Sequence, residues 1–328
     1  MDMSTEYLGL KLKNPLVPSS SPVTKNIDSA KQCEDAGASA LVMHSLFEEE
    51  IEQDEQIIER LYEQDIGHGE ASAYLPSDLS ESCYLDDYLA YLNQLKMSLD
   101  IPIIASLNAT SMSGWSEHAI ELEQSGADAL ELNVYYIAAD IDEKGSEVEE
   151  RYIQLLMDVK QKVNIPITMK LSPQFSSPAN MVRRLQFAGA DGVSLFNRFY
   201  QASIDLETLG VSEQLNLSTS ADSLLAMRWL AILYGRVDLS LAATGGVHNS
   251  HDAIRMLLAG ADVVHMAAAL LTKGPQYLAE VLEGIQQWMV ENEYDSVTQL
   301  KGSVSQKNIK IPSQYERANY MNILKNFS

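Results

Sequence analysis

The segment Ile165-Pro-Ile-Thr-Met-Lys-Leu-Ser-Pro173 decides the fold. It is short and apolar, with Pro166 near its start and Pro173 closing it, and reads as a buried strand. Its one charge, Lys170, sits at the C-terminal end. In parallel α/β proteins that end faces the ligand. An ammonium held there needs an anionic or electron-rich partner. The plain alternative is a lysine that snorkels out of the strand end into water.

Outward from this strand the text alternates regularly. Upstream, Glu147 to Val163 has a helical apolar face at Ile153, Leu156 and Val159; downstream, Ala179 to Ala188 is helical and Gly189 is its cap. Three joints share one wording, Ser125-Gly-Ala-Asp-Ala, Ala188-Gly-Ala-Asp-Gly and Ala259-Gly-Ala-Asp-Val, and Ala36-Gly-Ala-Ser-Ala is a looser fourth. Each sets a glycine after a helix and opens a strand. Eight strands follow this scheme, starting near Leu16, Ala40, Ile101, Ala129, Ile165, Gly192, Leu239 and Val263. Eight parallel strands alternating with helices predict an α/β fold of the (β/α)8 TIM barrel type. No glycine fingerprint of a dinucleotide fold follows the first strand. The chain reads as one domain over 1–328. Residues 46–99 form a helical and loop insertion after strand 2, read as a lid, and 293–328 form a C-terminal extension.

Composition narrows the function. The chain has 328 residues and a formal net charge of -23, from 23 basic and 46 acidic residues. That balance excludes a nucleic-acid partner, which needs a basic surface. No apolar run is long enough to span a bilayer and no leader opens the chain, so no membrane is expected and the location expected is cytoplasmic. Cys33 and Cys83 alone suggest neither a disulfide framework nor a metal or iron–sulfur site.

A barrel gathers its strand tips on one face. Ser20, His44, Ser106, Asn133, Lys170, Asn197, Gly245-Gly246 and Ala267-Ala268 are therefore expected neighbours. Two amides and a lysine suit a planar heterocycle with carbonyls and ring nitrogens. The small residues Ser20 and Ser21 permit close backbone approach. The loops after strands seven and eight are the recurring phosphate site of this architecture. Each feature also has a bland reading: a polar loop at Ser20, a structural histidine at His44, a plain turn at Gly245-Gly246.

Glu131-Leu-Asn133, Met169-Lys-Leu-Ser-Pro173, Leu195-Phe-Asn197, Thr244-Gly-Gly246 and Asn14-Pro15 together resemble the dihydroorotate dehydrogenases, over roughly Tyr7 to Glu291. His44-Ser-Leu-Phe-Glu48, Leu132-Asn-Val-Tyr-Tyr136, Phe196-Asn-Arg-Phe-Tyr200 and the tail Glu316-Arg-Ala-Asn-Tyr-Met321 are similar to a branch called dihydroorotate dehydrogenase-like proteins. The resemblance implies FMN at the barrel top, oxidation of dihydroorotate to orotate in pyrimidine biosynthesis, and a homodimer. It implies that Lys170 stabilises reduced flavin and that Asn133 and Asn197 bind substrate or flavin. Ser20, Ser21 and Ser106 would lie along the cofactor, and Gly245, Gly246, Ala267 and Ala268 would cradle its phosphate.

The departures from the family lie on the substrate side. Where the family carries a catalytic Cys or Ser, Tyr136 stands; where it carries a second amide, Ala138; where it carries a lysine after strand 2, His44. The substrate-loop amides are replaced in Ala71 to Ser77. Tyrosine is a poor base at neutral pH and a competent acid. Losing a matched donor costs about 10⁴-fold in selectivity, and losing a base roughly 10² to 10⁴ in rate. The reading is an FMN oxidoreductase on a small molecule, with Tyr136, Lys170 and His44 as catalytic candidates. The alternatives are an ene-reductase or dehydrogenase on another small substrate, and a degenerate barrel kept for binding.

Overall fold

The computed structural model describes residues 1–54, 56, 83–212, 216–317 and 320. Eight parallel strands form one sheet: β3 (Leu16–Pro18), β4 (Leu41–Phe47), β5 (Ile103–Asn108), β6 (Ala129–Asn133), β7 (Ile167–Leu171), β8 (Gly192–Leu195), β11 (Ser240–Ala243) and β12 (Val263–Met266). Their order, β3-β12-β11-β8-β7-β6-β5-β4, runs around a ring. The ring closes where the Ser39 N–H donates to the Leu16 carbonyl at 3.0 Å, bringing β4 beside β3. The expected (β/α)8 TIM barrel is what the chain forms, and the segment that predicted it is the fully buried strand β7.

The helices are α1 (Ile27–Asp35), α2 (Tyr84–Ser98), α3 (Met112–Gln124), α4 (Gly145–Lys160), α5 (Pro178–Ala188), α6 (Ser223–Leu233), α7 (Ser250–Ala259), α8 (Ala268–Lys273), α9 (Tyr277–Glu291) and α10 (Val297–Leu300). The two that flank β7, α4 and α5, stand where the apolar periodicity put them, whereas the short α8 and α10 were not anticipated from the sequence. A continuous apolar layer between helices and strands makes the main core, with Leu92, Leu122, Leu156, Leu185 and Leu230 fully buried.

The repeated Gly-Ala-Asp text has a structural cause. Gly37, Gly126, Gly189 and Gly260 all carry positive φ, which ends each helix in a left-handed residue. The following aspartates clip neighbouring strands at the lower rim. Asp128 accepts the Ile103 N–H at 2.7 Å, Asp191 the Ile167 N–H at 2.8 Å, and Asp262 the Leu241 N–H at 2.7 Å. Each clip also takes a lysine: Lys96, Lys160 and Lys301 in turn, all at 2.5 Å. In the fourth copy Ser39 donates its hydroxyl to the Leu16 carbonyl instead.

Two hairpins were not anticipated from the sequence. The first, β1 (Thr5–Tyr7) with β2 (Leu10–Leu12), plugs the barrel floor. Its two-residue turn has φ 53° at Leu8 and 75° at Gly9. Tyr7, Leu8 and Leu12 join Val42, Ile104, Ala129 and Val263 in a separate interior cluster. The strands are three residues each, too short for period-two alternation to stand out. The second hairpin, β9 (Ser203–Asp205) with β10 (Gly210–Ser212), follows β8.

Residues 293–317 of the C-terminal extension pack on the barrel base. Asp2 and Asp295 pair, Gly302 and Val304 donate to the carbonyls of Leu257 and Leu258, and Gln306 donates to Ala231. The insertion over 46–99 lies largely outside the described residues. Of it, β4 extends to Phe47, residues 48–54 are helical, and α2 is described. The substrate-loop stretch Ala71 to Ser77 also lies outside them. No helix among the described residues is long and apolar enough to cross a membrane.

Candidate active site

A cavity of about 870 Å³ opens where the C-terminal strand ends meet. That volume lies within the range of cofactor and substrate sites. Lys170 from β7, Asn133 from β6 and Asn197, two residues beyond β8, all border it. Lys170 does not snorkel: it is 6% exposed, and its Nζ lies 3.2 Å from Glu131 Oε1. Strand alternation explains the pairing, because Glu131 and Asn133 on β6 stand opposite Thr168 and Lys170 on β7, all inside the barrel. The other Glu131 oxygen accepts the Ser194 hydroxyl at 3.1 Å. Asn197 Nδ2 donates to Asn133 Oδ1 at 2.6 Å, and the Asn197 side-chain oxygen has no donor among the described residues.

A bulge in β4 sets the next wall. Val42 pairs with Ile104 and Ser45 with Ser106, so Met43 and His44 together face one residue of β5. Ser45 is thereby turned inward as a hub. Its hydroxyl meets those of Ser20 at 3.2 Å and Ser106 at 2.8 Å, and accepts from Asn133 Nδ2 at 3.2 Å. Ser20 and Ser21 border the cavity, as does Ser45. Ser106 does not; it is fully buried one layer beneath Ser45, so its contribution is to hold that hydroxyl.

The opposite end is backbone-rich. Gly245 and Gly246 have φ of 87° and 73°, and with Ala267 and Ala268 they line the cavity. A Cβ on Gly246 would lie 2.3 Å from the Ser223 nitrogen, where the loop presses on the start of α6. The N–H groups of Gly245, Gly246, Ala267 and Ala268 have no acceptor among the described residues. Free amides at one end and Lys170, Asn133 and Asn197 at the other match a flat heterocycle ending in a phosphate. FMN fits this donor set.

The two substrate-side candidates are placed differently from the sequence expectation. Tyr136 does not border the cavity. Its hydroxyl donates to Glu143 Oε2 at 2.8 Å, and the Arg151 guanidinium covers its ring at 4.2 Å. Tyr135 occupies the wall instead, its ring stacked on Phe199 at 4.1 Å and its hydroxyl accepting the Tyr200 N–H at 3.1 Å. Tyr135 and Tyr136 thus face different ways along the loop after β6, and the family's spacing selects the outward one. His44 borders the cavity, but its ring packs on Tyr88 and Tyr91. Burial and the nearby Lys25 charge push its pKa down to about 4, so it is neutral at pH 7 and carries no charge for a substrate anion.

Glu131, Ser45, Tyr135 and His265 were missed. The first could have been found: a glutamate inside the apolar run Ala129–Asn133 is buried by its position alone. His265 in Val263–Met266 carries the same signal. Ser45 depended on the bulge and Tyr135 on the loop path, neither of which leaves a mark in the residues.

A family model described as dihydroorotate dehydrogenase matches residues 2–289. Among curated proteins, "Dihydroorotate dehydrogenase B (NAD(+)), catalytic subunit" of Pyrococcus furiosus is 26% identical over 314 residues, 92% of this chain and 98% of that one. The protein of the same name from Caldicellulosiruptor bescii is 25% identical over 315 residues, 93% of this chain and 100% of that one. That from Shouchella clausii is 28% identical over 210 residues, 62% of this chain and 68% of that one.

Proposed function

The chain belongs to the dihydroorotate dehydrogenase family, and from that premise we propose that it holds FMN at the barrel top and oxidises a small dihydropyrimidine at a CH–CH bond. The observation that carries this is the meeting of Lys170, Asn133 and Asn197, distant in sequence, around one cavity. A degenerate barrel has no reason to keep a buried lysine–carboxylate pair beneath its cavity, since such a pair costs desolvation without adding stability.

FMN, when bound, supplies the hydride acceptor. The chain's own residues do the rest. Gly245, Gly246, Ala267 and Ala268 offer backbone N–H groups to the phosphate. Lys170 places positive charge against the ring edge that becomes electron-rich. Asn133 and Asn197, locked by their mutual hydrogen bond and by Ser45, orient ring and substrate. The Tyr135 hydroxyl, which accepts the Tyr200 N–H, would cede its own proton to solvent and take one from the substrate carbon in the oxidative direction, or donate it there in the reductive one. Lys25, which borders the cavity near His44, meets a substrate carboxylate in place of the family lysine.

Tyrosine as the proton-handling group favours a second reading, reduction of an activated double bond with Tyr135 as the acid. The relatives' names extend by proposal to NAD(+) as final acceptor through a further subunit. A homodimer is the other proposed assembly; Ile204, Leu206, Leu209 and Val211 on the β9–β10 hairpin are all exposed and apolar.

The test is an absorption spectrum of the purified protein, followed by anaerobic bleaching. Flavin bands that bleach with dihydroorotate support the first reading. Bleaching by NADH with recovery on adding orotate supports the second. A colourless protein that takes up no FMN on reconstitution overturns both.

A further inference from the structure

His265 is the buried group that the proposed chemistry leaves unused. It projects from β12 into the barrel, is 1% exposed, and reaches the cavity floor. Among the described residues neither Nδ1 nor Nε2 has a hydrogen-bond partner. Buried polar atoms are nearly always paired, so a ring with two idle nitrogens calls for a reason. Three groups face it. Tyr7 of β1 stands edge-on at 6.0 Å between ring centroids; Glu131 of β6 brings Oε2 to 3.9 Å from Nδ1; Lys170 of β7 lies beyond the carboxylate. The hydroxyls of Tyr7 and Thr168 in the same interior are unpartnered as well.

The 3.9 Å gap is too long for a hydrogen bond and short enough for a small ring rotation to close. Glu131 thus has one engaged cation, Lys170, and one idle group beside its other oxygen. Burial holds the His265 imidazole down at about 4, Glu131 opposing and Lys170 assisting, so the ring is neutral while the lysine pair is intact.

We propose that Lys170, Glu131 and His265 form a charge-exchange triad: when FMN at this site is reduced, the ammonium turns to the cofactor, Glu131 changes partner, and His265 takes up one proton. The inference rests on the FMN reading above. The balance is simple. Oxidation of a CH–CH bond releases one hydride, which FMN takes, and one proton. At the triad one N–H bond forms at Nδ1 with a proton equivalent to the one the substrate released, and nothing else is oxidised or reduced. The proton leaves again when FMN is reoxidised. Glu131 already raises and Lys170 lowers the proton affinity of His265; moving the ammonium to the cofactor removes the opposing charge and frees Oε1 from its pairing, so both changes draw a proton to the ring.

The test uses the FMN-loaded chain with 15N-labelled histidine. His265 is assigned by comparison with His265→Gln, and spectra are recorded oxidised and dithionite-reduced at pH 7. The expected result is neutral imidazole in the oxidised state and imidazolium in the reduced state. Glu131→Gln should keep His265 neutral in both. Reduction of the unaltered protein should take up one proton more than reduction of His265→Gln. A histidine neutral in both states, or equal proton uptake, overturns the triad and leaves the FMN reading intact. Failure to take up FMN overturns both.

Discussion

Lys170 Nζ and Glu131 Oε1 lie 3.2 Å apart inside the barrel, both buried, with Lys170 bordering the cavity. Removing one partner strands the other's charge. Lys170→Met is expected to cost about 3–5 kcal/mol of stability in urea titration. Adding Glu131→Gln to it should restore part of that loss, because two neutral side chains need no ion partner. A double variant as unstable as the single one would mean that the pair is not what holds this region.

Tyr135 and Tyr136 are adjacent and should behave oppositely. Tyr135→Phe removes the hydroxyl from the cavity wall and is expected to lower turnover by roughly 10²- to 10⁴-fold with little change in FMN absorption. Tyr136→Phe removes only the hydrogen bond to Glu143, outside the cavity. Its turnover should stay near normal, with about 1 kcal/mol lost from stability. Steady-state rates for the two variants decide the assignment, and the reverse ranking would return the role to Tyr136.

Acid should destabilise the chain before its carboxylates titrate. Burial lowers the folded pKa of His265 from 6.5 to about 4. The unfolded chain then binds more protons between those values, so stability rises with pH across the window and is lost as pH falls from 6.5 to about 4. For this fully buried ring the loss is about 3 kcal/mol. Denaturation midpoints at pH 7 and pH 4.5 should differ less in His265→Met than in the unaltered protein.

Glu48 ties the end of β4 to the start of α3. It accepts N–H groups from Thr110 at 2.5 Å and Ser111 at 2.8 Å, and hydroxyls from both residues. Burial alone would raise its pKa; the hydrogen bonds from Ser111 and Thr110 overcome that and hold it low. Glu48→Ala should cost about 2–4 kcal/mol. Gly114→Ala should do comparable harm, since its Cβ would fall 2.0 Å from the Glu48 carboxylate. Thermal unfolding of both variants checks this.

The barrel was legible because its signals are local. Apolar runs of strand length, glycines after helices and the recurring Gly-Ala-Asp text each report one turn of chain. The cavity's polar centre was half legible, since Lys170, Asn133 and Asn197 fall at strand tips by position alone. What stayed hidden needed register. The β4 bulge made Ser45 rather than Ser106 the hydroxyl at the wall. The path after β6 exchanged Tyr135 for Tyr136, and the family's spacing could not show this, because spacing fixes order along the chain and not the side to which a residue turns.

The rim carboxylates that clip the barrel fall only before its even-numbered staves: Asp128 before β6, Asp191 before β8, Asp262 before β12, with Ser39 as the variant before β4. Each fastens its own stave to the one preceding it in sequence. The ring is therefore counted in fours, as double bricks each mortared internally by that side chain, and the first three are joined to the next by Glu34, Glu123 and Gln186, which accept the N–H groups of Asp100 and Ile101, of Asn164 and Ile165, and of Asp238. A brick of that size can be copied with its mortar intact, leaving the upper ends free to diverge, and it is at those upper ends that the four bricks now carry different chemistry.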